Sequence, residues 1–190
     1  MLTGVLTVLL LAQAPAMGRP MSEVPPRPVL PKTGDEAVLG AINATDASVI
    51  EAAKLATSRG GSADVKAFAT TLVREHQASL TNGGRLAKSL NVVRLLPSDT
   101  AVVHGHERAM HDLNLLSGSA FDSRFMQLMA DQHRAALALL EGSLGATAAR
   151  PEVKQALAQT LPMLHGHLAA AEKWQSTHGG APPPKRTPPG

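Results

Sequence analysis

The sequence predicts an all-α protein: a four-helix bundle with an additional shorter helix in its central connection. Three observations carry this. The apolar residues of the 190-residue chain are mainly Ala, Leu, Val and Met, with three Phe, one Trp and no Tyr, a composition that favours helix over sheet. Gly, Pro and capping residues divide the middle of the chain into segments of roughly 24 to 29 residues, a length suited to helices packed side by side. No stretch alternates apolar and polar residues between hairpin turns, which is the mark of a half-buried strand.

The first helix is expected from about Asp35 to Ser58, ending at Gly60-Gly61. Ser62 suits an N-cap for the second, with Asp64 in its first turn, reaching about Leu90. Gly83-Gly84 weakens that helix in its second half. After "NVVRLLP", Ser98 can cap the short helix, which reaches about Leu116. Ser119 with Asp122 resembles a capping box and opens the third long helix, lasting to about Leu144. Pro151 fits the first position of the fourth, with Glu152 beside its positive end.

The ends of the chain differ from its middle. Residues 1–16, "MLTGVLTVLLLAQAPA", combine a short apolar run with small residues at Ala14 and Ala16, the pattern of a secretory leader and its cleavage site. The run is too short for a comfortable membrane span, and no other stretch approaches that length, so the mature chain is expected to carry no transmembrane anchor. Residues 17–34 and 179–190 are Pro-rich and read as a linker and a tail around a domain over 35–178. An exported protein in the periplasm or cell envelope is the expectation. Cysteine is absent, which removes disulfides, thiol nucleophiles and thiolate metal sites.

The formal charge of +3 suggests an anionic partner until its distribution is read. Arg19, Arg27, Lys32, Lys185 and Arg186 lie in the Pro-rich ends, and 13 basic against 14 acidic side chains remain between Asp35 and His178, a net of −1. A near-neutral domain with few aromatics has neither the electrostatic footprint nor the stacking surface of a nucleic-acid binder.

Placing residues at about 100° per step identifies the inward faces. Val65, Phe68, Leu72, Leu86 and Leu90 form one arc of the second helix, and His76 falls inside it. Phe125, Met126, Met129, Leu137 and Leu140 form another on the third long helix, with His133 near its centre. Val153, Leu157, Leu161, Leu164, Ala171 and Trp174 define that of the fourth, which contains His167 and has His165 at its edge. On the first helix Asp46 shares a face with Val38, Ile42, Val49 and Ala53, whereas Glu51 points away.

One inward histidine is more often a hydrogen-bonded core residue than a ligand. Three on three helices change the balance, because bundle cores bring ligands from facing helices together and imidazole suits zinc, copper and iron. The expected site is one transition-metal ion held by His76, His133 and His167, with Asp46 or water completing the shell. His167 lies about four residues past the midpoint of its helix, an axial offset of about 6 Å. Pro162 is expected to bend that helix and re-aim His167, and Gly166 to admit a neighbouring backbone. Glu75 and Asp131 read as outer or surface groups, since residues one or two apart on a helix point different ways. His104, Glu107 and His111 form a separate stripe that reads as a solvated face, and His106 shares a face with Met110. The methionines read as core filler. The competing reading is a non-enzymatic scaffold whose histidines are satisfied core residues. No nucleophile elbow, phosphate loop or HExxH motif is present, so a third reading, a metal-dependent oxidase or hydrolase, has the least support.

Several stretches taken together resemble the bacterial domain of unknown function 4142 family. They are Val65-Lys66-Ala67-Phe68-Ala69, Glu75-His76, Ser117-Gly118 with Phe121-Asp122, His133, and Leu161-Pro162 with His167-Leu168. The resemblance spans about residues 35 to 176 and implies a ferritin-like helical fold, an exported setting and no established activity. It also carries His76, His133 and His167 as shared histidines. Val49 and Gln132 stand where members often have Glu and Asp. The Glu-x-x-His pattern of ferritin-like di-metal centres is not reproduced, because Val73, Ala130 and Leu164 precede the three histidines by three.

Overall fold

A computed structural model of the chain describes residues 34–92 and 100–178, with backbone alone over 100–104. The expected leader (1–16), the linker (17–34) except its last residue, the tail (179–190), Ser98 and the His104 side chain lie outside the described residues. Among the described residues there are five α-helices, one 3-10 turn and no strand: α1 Gly34–Arg59, α2 Ala63–Ser89, α3 Thr100–Asn114, α4 Gly118–Glu141 and α5 Pro151–His178, with the 3-10 turn Gly145–Thr147 before α5. None of these helices is long and apolar enough to cross a membrane.

The helix ends follow local chemistry. Ser62 caps α2 and its hydroxyl accepts from the Val65 N–H at 3.3 Å. The other end of α2 closes with Asn91 in the left-handed region (φ 56°), the Asn91 N–H donating to Lys88 and the Val92 N–H to Ala87. Asn suits this C-terminal stop because its short polar side chain tolerates a positive φ. The capping box expected from Ser119 and Asp122 does not form. Helix α4 starts at Gly118, and the Asp122 carboxylate instead accepts from the Gly61 and Ser62 N–H groups, both at 2.8 Å, in the α1–α2 turn. There the backbones nearly touch: a Cβ at Gly61 would come within 2.9 Å of Gly118, itself at φ +57°. Helix α4 also ends at Glu141, earlier than the expected Leu144, and hands over to the 3-10 turn.

Contacts across the helices set their directions. Asn43 lies against Gly83 and Asp46 against His76, so α1 and α2 are antiparallel. Gln127 bonds Gln175, Arg134 bonds Glu172 and Glu141 bonds His165, so α4 and α5 are antiparallel too. One apolar cluster joins Val49–Ala56 of α1 to Phe121–Ala130 of α4, with Leu72 and Ala171. A second joins Val38–Ile42 to Ala136–Leu140, with Val153 and Leu164. Helix α1 therefore opposes α2 and α4 and runs with α5. Because α2 and α4 point the same way, the connection through α3 has to travel the length of the bundle.

Helix α5 runs unbroken through Pro162. Pro162, Gly166 and Ala158 are all exposed, so the Ala158 carbonyl, deprived of a helical donor by the proline, faces the solvent side. Gly166 serves no close approach, contrary to expectation, since a Cβ there would meet nothing within 4 Å. It is Gly83 that packs tightly, with the Asn43 side chain where a Cβ would go.

Candidate metal centre

Between the two apolar clusters lies a polar layer. Each long helix contributes one residue: Asp46 from α1, His76 from α2, His133 from α4 and His167 from α5. Exposure is 0 % for His76 and His133, 1 % for Asp46 and 5 % for His167. Apolar residues flank each of them along its helix, as Ile42 and Val49 flank Asp46, so packing the apolar stripes carries the polar residues inward.

The three imidazoles meet at one depth. His76 Nε2 lies 3.3 Å from His133 Nε2 and 3.2 Å from His167 Nδ1, and the remaining edge is 3.3 Å. The other nitrogen of each ring faces an acceptor. His76 Nδ1 is 2.8 Å from Asp46 Oδ1, His133 Nδ1 is 2.7 Å from the Met129 carbonyl oxygen, and His167 Nε2 is 2.8 Å from Glu75 Oε2. A carbonyl or carboxylate can only accept, so each outer nitrogen carries its proton outward. The inner nitrogens are then left as three lone pairs pointed at one another.

Protonating one ring would relieve this, and burial opposes it at His133 and His167. Burial, reinforced by His76, pushes His133 down to about 3. Burial also lowers His167, although its hydrogen bond to Glu75 works the other way. Glu75 is held below the usual carboxylate value: burial would raise it, but hydrogen bonds from Arg74 and His167 outweigh that.

The donor set fits a metal ion. A tetrahedral ion with metal–nitrogen bonds of about 2.0–2.1 Å needs its ligand nitrogens about 3.3–3.4 Å apart. The observed edges of 3.2–3.3 Å match. Outer acceptors that fix the tautomer and orientation of each ring are what such ligands require. Asp46, expected as a further ligand, sits behind His76 instead. Its second oxygen is buried without a hydrogen-bond partner, while its first accepts from the His76 Nδ1–H. A cation beyond His76 would offset that charge.

The remaining histidines go elsewhere. His106 joins α3 to Glu51 of α1 at 2.9 Å and to Gln132 of α4 at 3.1 Å, so Glu51 is half-paired although it faces outward. His165 pairs with Glu141 in solvent, and His178 stacks on Trp174. Asp131 bonds Gln127 and Arg134 at the surface. His111 and Glu107 are exposed. Among the described residues His76, His133 and His167 form the one group of metal-binding type with its ligand atoms drawn together. Sequence reasoning missed the Met129 carbonyl, which any residue one turn before an inward histidine offers. Glu75 was legible only as an outer or surface group, because its partner comes from another helix.

Fold and site together define an all-helical bundle with a buried tris-histidine layer across its middle. The chain belongs to the family described as domain of unknown function (DUF4142), whose model matches residues 21–174. No curated protein and no solved structure matches the chain.

Proposed function

We propose that the protein binds one transition-metal ion through His76, His133 and His167, and that it serves metal handling or sequestration in the cell envelope after export. The observation that carries this is the triangle of inward lone pairs, each ring oriented by its own outer acceptor. A satisfied structural network would place a donor between the rings. The near-equal edges favour an ion with tetrahedral preference, such as zinc, over a square-planar site, where one nitrogen pair would lie about 4 Å apart. Full burial of the ligands favours holding an ion over turning over a substrate. Export rests on the leader-like residues 1–16. A ferritin-like arrangement is supported by the senses of the four long helices and the long connection between α2 and α4, although the layer carries one carboxylate where di-metal members of that class use several.

Metal analysis of protein purified without a histidine tag tests the reading. About one ion per chain is expected, lost in His76→Ala/His133→Ala with helicity retained. A metal-free protein that ignores zinc, copper and iron in titration would leave the scaffold reading instead.

A further inference from the structure

An ion has to reach an enclosed site from one side of the bundle. On the seam between α1 and α4, α3 lies across the layer through His106, which reaches both Glu51 and Gln132. The opposite seam, between α2 and α5, holds a cavity of about 440 Å³. Its floor is apolar, with Leu39, Ile42, Leu86 and Met163, and its walls carry two carboxylates, Glu75 and Glu152, and no Lys, Arg or His. Glu75 links the cavity to the layer: its side chain, 36 % exposed, lines the cavity, and its Oε2 accepts from the outer nitrogen of His167. His167 is also the ligand that keeps some exposure. Arg74 occupies the other Glu75 oxygen at 2.7 Å, but it is largely solvated and its pairing is correspondingly weak.

Resting on the reading of the three histidines as a metal site, we propose that this cavity is the ion's way in. A divalent transition-metal cation is drawn by Glu152 and Glu75, displaces Arg74, and is handed inward as Glu75 releases the His167 ring. Low-dielectric walls bearing charge of one sign concentrate counter-ions and speed their arrival. The other histidine–carboxylate pairs, His106 with Glu51 and His165 with Glu141, bond none of the three layer histidines and offer no such path.

Stopped-flow mixing of the tag-free chain with zinc, and release of zinc to a chromophoric chelator, test this with two variants on the exposed face of α5. Glu152→Gln is expected to slow uptake about two- to threefold at low ionic strength, with the difference fading in high salt. Gln159→Trp, at the cavity wall, is expected to slow uptake and release by the same factor, leaving the affinity unchanged. Wild-type rates in both variants, with one ion still bound, would overturn the proposed path and leave the metal site standing. Failure of the unmodified chain to bind zinc at all would overturn both.

Discussion

At Asp46 a buried carboxylate turns one oxygen to His76 and leaves the other without a partner. Such a group costs stability in an apolar core unless a cation nearby compensates it. If a metal beyond His76 supplies that compensation, Asp46 acts on the ion through the ring. Asp46→Asn keeps an acceptor for Nδ1 but removes the charge, and zinc affinity is expected to fall about 10- to 100-fold. Chelator competition measures this, and an unchanged affinity would mean that the carboxylate serves folding alone. Helical phase placed Asp46 on the inner face because i, i+3 and i+4 spacing is a local property. It could not say whether the carboxylate would point at the ion or at the back of a ligand, since that depends on where α2 lies. The same gap hid Glu75. Adjacent to His76 it points off the core face of its own helix, and only α5 brings His167 against it.

At the scale of elements, two carboxylates near the starts of helices tie the bundle ends together. Asp122 of α4 accepts from Gly61 and Ser62 in the α1–α2 turn, and Asp35 of α1 accepts from the N–H groups of Ala149 and Arg150 before α5. Both are buried. Arg59, at the end of α1, donates to the Asn114 carbonyl at the end of α3 and to the Leu116 carbonyl just beyond it, and lies over the Phe121 ring, a favourable place for a cation. Asp122→Ala would strip two backbone donors of a charged acceptor at once. A loss of about 2–4 kcal/mol of unfolding free energy is expected, read as a lower urea midpoint with unchanged slope. A midpoint within error of the wild type would show that solvent replaces the carboxylate in this turn. The Ser119–Asp122 spacing looked like a local cap because capping boxes and long-range latches use the same residue types. The nearby turn, 60 residues away in sequence, outcompeted the helix's own N–H groups.

Across the whole molecule, the polar layer divides what would otherwise be one continuous apolar core. Clusters above and below it hold the helices in register, with Phe121, Phe125 and Met129 on one side and Leu39, Leu140 and Leu164 on the other. The layer itself opposes folding when no ion is bound, for it buries a carboxylate and sets three lone pairs face to face. Replacing Asp46, His76, His133 and His167 together by Leu is therefore expected to leave chelator-treated protein at least as stable as the wild type, and to abolish zinc binding. Replacement of buried charged groups by apolar ones of similar size is often neutral or stabilising by about 1–4 kcal/mol. Parallel denaturation of chelator-treated and zinc-saturated samples checks both halves. A strongly destabilised quadruple variant would mean that the layer is structural cement.

What the sequence determined by itself was the set of helices and the face each turns inward. Both are written in spacings of three and four residues and in turn chemistry that acts over a few positions. Depth along the bundle, the choice of which ring nitrogen faces inward, and the partner behind each ring were decided by tertiary structure. Those quantities depend on how far one helix slides along another and on acceptors supplied by other turns, information that no single helical segment contains.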